Sequence, residues 1–160
     1  MNGPYLHLAI NHIPVIVTPV ATFLLAVAFL RQSRDLAQAG FLLLILVAVI
    51  VYPTQRTGGM AAFAIRSLPG IERARIHDHA EAADWALWPA VVLGFLSLIG
   101  IRKAKHTFPI GLTVLTILGS IFLTTIMVRV AHLGGLVRHP EIAEKAATPS
   151  PKVAPPARKK

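Results

Sequence analysis

The chain contains no cysteine. That absence removes disulfides, thioether-attached haem, cysteine-ligated iron–sulfur clusters and cysteine zinc sites. Any redox or metal role therefore falls to histidine, methionine, carboxylates or backbone. Charge is scarce too: 14% of the 160 residues are charged, whereas 54% are hydrophobic. A soluble domain of this length carries many more charges, and the mean hydropathy of +0.63 puts the chain among integral membrane proteins. A cleavable signal peptide is not expected, because no basic region precedes the first apolar stretch and no small-residue cleavage site follows it. The formal charge of +9 does not point to nucleic acid. The Lys and Arg residues lie in connections and the C-terminal tail, with neither a recognition helix nor an aromatic stacking platform. Anionic lipid suits them better.

What is present is a series of four apolar runs, at about 5–30, 36–53, 80–101 and 108–132. Each has about 20 residues, enough to cross ~30 Å of hydrocarbon at ~1.5 Å per residue. Pro14 and Pro19 interrupt the first and free the carbonyls of Ile10 and Val15. The second closes at Tyr52 and Pro53, and Gly134-Gly135 is expected to bend the chain after the fourth. Four spans with short turns predict an all-α, up-down-up-down four-helix bundle. Between spans two and three, Met60, Phe63, Ala64, Ile65 and Leu68 follow a helical spacing that predicts a short interfacial helix. The membrane domain is read as 1–145, and 146–160 as a disordered Pro/Ala/Lys tail.

An even number of spans puts both termini on one face, and the histidines gather there. His7, His12, His77, His79, His132 and His139 fall on that face, and His106 falls opposite. The short turns carry Arg31, Arg34, Arg102, Lys103 and Lys105 close to the spans, so the positive-inside tendency puts them in the cytoplasm. The chain is then expected in an inner (cytoplasmic) membrane with its termini outside.

Helical geometry sorts these imidazoles. His7 and His12 are separated by about 140° around a helix and cannot both grip one ion. His12, beside Asn11 and nearer the apolar interior, is the first choice. His77 and His79 are separated by about 200°, and His79 continues the small face formed by Ala82, Ala83 and Ala86. His132 and His139 share a face about 10.5 Å apart along an unbroken helix, a separation that a bend at Gly134-Gly135 would shorten. Arg129 needs a carboxylate, with Asp84 or Glu81 available, or a bound anion.

Imidazoles from three spans near one depth can serve a b-type haem, whose axial ligands are histidines and whose propionates take cations. His12 and His79 lead as iron ligands, with His132, His139 and His7 as rivals, and Arg56, Arg129 and Arg138 as cations for the propionates. Copper or zinc could use the same imidazoles. No span carries histidine near both ends, so a ladder of two haems is not supported and a site at one surface is expected.

The segments HLAINHIPV (7–15), RTGG with SLPGIERARIHDHAEAA (56–83) and HLGGLVRHPEI (132–142) resemble an uncharacterised bacterial family of small four-span membrane proteins, a domain of unknown function. Its pattern of two histidines and His-x-Pro in the first helix, a histidine heading the third, and Gly-Gly-x-x-x-His at the end falls on His7, His12, Pro14, His79, Gly134, Gly135 and His139. Some members look haem-binding or redox-associated, so the resemblance implies haem. Ala62 and Ala80 stand where the family pattern has acidic residues.

The expected function is a membrane b-type cytochrome-like electron-transfer module with one haem near the outer surface, exchanging electrons with a quinone or cytochrome. The alternatives are an accessory subunit of a larger membrane complex with no cofactor, and a copper or zinc binder. A self-contained hydrolytic enzyme is disfavoured, because the Ser and Thr of the spans lack a paired base.

Overall fold

In the computed structural model, which describes residues 2–139 and 141, the chain forms five helices. They are α1 (Gly3–Ile10), α2 (His12–Arg31), α3 (Arg34–Ile65), α4 (Arg73–Ala104) and α5 (Ile110–Arg138). The expected tail, 146–160, lies outside the described residues. With α1 and α2 as one broken rod, four segments are long and apolar enough to cross a membrane. Helices α2 to α5 close a ring: α2 packs on α3, α3 on α4, α4 on α5, and α5 back on α2, while α1 lies against α3. The four-helix bundle is therefore as the apolar runs require, although its helix ends are not.

Proline sets the break between α1 and α2. Pro14 cannot donate to Ile10, and the helix is interrupted at Asn11. Pro53 does not end α3, which continues a further three turns to Ile65. Thr54 Oγ1 donates to the Ile50 carbonyl at 2.8 Å and Thr57 Oγ1 to the Pro53 carbonyl at 2.7 Å. The carbonyl left without its helical donor by Pro53 is that of Val49, and a membrane helix tolerates such a break where neighbouring helices and local adjustment accommodate it. Helix α1 lies alongside this extension and gives it a packing partner. The separate interfacial helix expected from Met60 onward is thus the end of α3, which turns at Ser67–Gly70.

Gly134-Gly135 does not bend the chain either, since α5 runs unbroken to Arg138. Helices α3 and α4 have 32 residues each, so each is about 48 Å long and exceeds the ~30 Å hydrocarbon core. The polar residues Arg56 on α3 and Arg73, Arg75, Asp78, Glu81 and Asp84 on α4 gather at the histidine end of the two helices.

The opposite end is tied down by short turns. Ser33 caps α3 by accepting from Leu36 N–H, and Asp35 sits in the first turn, where the helix dipole favours an anion. Arg34 reaches the carbonyls of Lys105 and His106 at 3.5 and 3.2 Å, and Gln38 reaches Ala104 at 3.4 Å. The two turns are thereby stitched together, with His106 between them. The interior has two apolar clusters. One, near the turns, holds Leu25, Phe41 and Leu44; the other, toward the histidines, holds Val47, Val51, Leu93, Leu123 and Met127.

Candidate functional site

The inward stripe of α2 is Pro14, Thr18, Ala21, Leu25 and Ala28, in steps of three or four. Continued backward through Asn11, that stripe reaches His7 and bypasses His12. His7 is half-buried and His12 exposed. On α4 the stripe Ala82, Ala86, Ala90 leads back by one turn to His79, also half-buried, whereas His77 is exposed. The structure brings His7 and His79 inward, so of the two leading histidines only His79 lies in the interior.

The two imidazoles are held in the same manner. His7 Nδ1 lies 2.9 Å from the Thr54 carbonyl on α3, and His79 Nδ1 lies 3.0 Å from the Val130 carbonyl on α5. A carbonyl can only accept, so Nδ1 carries the proton in each ring. In the neutral ring Nε2 then keeps its lone pair. Four residues beyond each carbonyl stands a glycine that seats the ring. A Cβ at Gly58 would come within 3.1 Å of His7 Cε1, and one at Gly134 within 3.0 Å of His79 Cε1. Each seat is followed by a second glycine, Gly59 or Gly135, whose Cβ would meet nothing within 4 Å.

The two halves of the chain thus repeat one device: an imidazole at the head of one helix, gripped by a carbonyl and a Gly-Gly pair on the next. Helix α1 lies against α3 and α4 against α5, so the two seats stand on helices at diagonal corners of the ring. One turn below His7, Asn11 Oδ1 is buried and has no hydrogen-bond partner among the described residues.

The other expected groups lie outside this pair. His132 is exposed, and His139, also exposed, ends α5 with Nδ1 3.0 Å from Glu141 Oε1. With α5 unbroken, these two are not drawn together. Arg56, Arg129 and Arg138 are exposed. Arg129 makes no ion pair with Asp84 or Glu81; the Asp84 carboxylate accepts instead from the Gln55 amide. Arg75 pairs with Glu72 at 2.8 Å. Arg56 lies on α3 between Thr54 and Gly58, and Arg129 on α5 precedes Val130, but both are exposed and sit on other faces of their helices from the seat glycines.

Among the described residues, no group of three or more His, Asp or Glu side chains is arranged to hold a metal ion. Sequence reading missed the seats Thr54, Gly58 and Val130. Their signal was the recurrence of Thr-Gly-Gly at 57–59 and Leu-Gly-Gly at 133–135. Comparison of the chain with protein-family models, curated proteins and solved structures gives no match.

Proposed function

We propose that the protein is a membrane-bound, b-type cytochrome-like electron-transfer module that takes one haem b between His7 and His79. The observation carrying this reading is that two half-buried imidazoles, seated on the diagonal helices α3 and α5, each commit Nδ1 to a backbone carbonyl and leave Nε2 without a partner among the described residues. A carbonyl behind a ligating histidine fixes its tautomer and raises its basicity, the usual outer-shell arrangement of a metal-bound imidazole.

The donor count favours haem over a bare ion. A structural zinc takes four protein ligands and a catalytic zinc three, and blue copper uses two histidines with a cysteine. This chain offers two imidazoles, no cysteine, and no third ligand beside them among the described residues. A porphyrin brings its own in-plane nitrogens and asks the protein only for axial ligands. Bound haem supplies reversible one-electron transfer.

The chain's own residues supply the rest. Thr54 and Val130 hold the rings, Gly58 and Gly134 leave room for them, and Arg56 and Arg129, exposed at the same end of the bundle, are the cations available to carboxylates at the rim. Because α3 and α4 outrun the hydrocarbon, the pair lies near the membrane surface, within reach of a quinone headgroup or a soluble cytochrome. The basic short turns support a cytoplasmic position for the opposite end and an outer one for the histidine end.

The test is an absorption spectrum of protein purified from cells grown with ample haem. A Soret band is expected, lost in His7→Ala and in His79→Ala and kept in His12→Ala and His132→Ala. A wild-type spectrum without that band overturns the proposal. Elemental analysis would then identify copper or zinc, and co-purification with a larger complex would identify an accessory subunit.

A further inference from the structure

The end of the bundle away from the histidines carries cations without matching acids. Arg31 and Arg34 flank the turn between α2 and α3, and Arg102, Lys103 and Lys105 close α4. All five are exposed, and none makes an ion pair among the described residues. Asp35 is the only acid in these two stretches.

Arg34 stands apart from the other four because it is held. Its Nη1 donates to the carbonyls of Lys105 and His106 at 3.5 and 3.2 Å, which fixes the guanidinium across both turns. A guanidinium has five N–H donors. Nη1 commits its two, and those on Nε and Nη2 have no partner among the described residues. Nε and Nη2 form the side of the fork that pairs with two oxygens of one phosphate. Holding that fork in place beforehand lowers the ordering cost of binding. Lys105 adjoins it through the carbonyl that Arg34 grips, and Arg31 is three residues away, at most about 11 Å of extended chain.

Apolar surface leads directly to these cations. On α4, exposed Phe95 and Leu98 continue in helical steps to Arg102 and Lys105. On α2, exposed Leu30 adjoins Arg31. Free inorganic phosphate would satisfy the guanidinium edge and leave this apolar surface bare. A phosphate carrying acyl chains covers both. The choline of a zwitterionic headgroup would stand among like charges, so the headgroup that fits is net negative.

We propose that the two short turns form a binding site for one anionic phospholipid. Arg34 is its fixed phosphate anchor, Arg31 and Lys105 are the flanking cations, and the acyl chains lie along Phe95 and Leu98. The inference uses the turn end alone and does not depend on any cofactor at the histidine end.

Equilibrium binding of chain-labelled phosphatidylglycerol and phosphatidylcholine to the full-length protein in uncharged detergent tests it. Phosphatidylglycerol should bind at least about fivefold more tightly, the gain that one Lys or Arg gives beside an anionic surface. Arg34→Gln should lower phosphatidylglycerol binding by at least about threefold and leave phosphatidylcholine binding unchanged. Arg31→Gln and Lys105→Gln should do the same, and their side chains make no hydrogen bond among the described residues, so the turns stay intact. Inorganic phosphate should displace the lipid no better than chloride at equal ionic strength. Equal affinity for the two lipids overturns the proposal, as does unchanged phosphatidylglycerol binding in the three variants. A loss in Arg73→Gln, at the histidine end, as large as in Arg34→Gln overturns it too, because the preference would then be bulk charge. Displacement by phosphate beyond that by chloride would make the free anion the ligand and overturn the lipid assignment.

Discussion

Gly134→Ala and Gly135→Ala differ by one position in the same helix, yet the structure requires opposite signs for them. In a helix interior alanine is favoured over glycine by about 0.8–1.0 kcal/mol. At Gly135 the new methyl meets nothing within 4 Å, so stabilisation of about 0.5–1 kcal/mol is expected, trimmed by the nearby helix end. At Gly134 the methyl would stand 3.0 Å from His79 Cε1 and 3.2 Å from Nδ1. The ring must withdraw by roughly 0.5 Å to reach ordinary contact, which stretches its 3.0 Å bond to the Val130 carbonyl toward the limit of about 3.5 Å.

Losing that bond costs about 0.5–1.5 kcal/mol, and crowding a packed contact costs about 1–3 kcal/mol. The helix gain is overcome, leaving a net loss of about 0.5–3.5 kcal/mol. The two variants should therefore differ by about 1–4.5 kcal/mol in reversible unfolding in mixed micelles. Removing the ring removes the conflict. In a His79→Ala background, Gly134→Ala should stabilise as Gly135→Ala does, which a double-mutant cycle measures. If Gly134→Ala stabilises as much as Gly135→Ala with His79 present, the imidazole does not rest on Gly134 and the reasoning fails.

The same contrast is expected at the other seat: Gly58→Ala should destabilise and Gly59→Ala should not, as read by the same unfolding assay, and equal effects would contradict the second grip. Gly94→Ala drives its methyl into Ala48 on α3, where neither partner can swing aside. A loss of about 1–3 kcal/mol is expected, and an unchanged unfolding midpoint would refute the close approach of α3 and α4. Ser33→Ala removes the cap on α3, a bond of 3.4 Å. The loss should lie near the lower end of the usual cap range, about 0.5–1 kcal/mol, and hydrogen exchange at Leu36 should accelerate.

The spans were legible because about 20 consecutive apolar residues admit few other readings. Their ends were not. Pro53 read as a stop, and only the packing of α1 along that stretch shows why the helix continues. Gly134-Gly135 read as a bend because glycine in sequence signals freedom, whereas here one of the pair is occupied by an imidazole from α4. His79 was legible from the alanines one and two turns below it. His7 was hidden by judging depth along the chain in place of direction around the helix. The periodic run Pro14, Thr18, Ala21, Leu25, Ala28 already pointed back to His7 and away from His12. The carbonyl partners Thr54 and Val130 carry no side-chain signal for this role, because they act through backbone that every residue has.

Each imidazole and its seat belong to one continuous stretch of chain, His7 to Gly58 and His79 to Gly134, and only the turn at 66–72 joins the two stretches. That turn is the place where the chain can be severed without parting a histidine from its carbonyl. Two co-expressed fragments, each a self-sufficient hairpin, would carry everything needed to rebuild the pair, and one hairpin alone would hold a single ring with nothing opposite it.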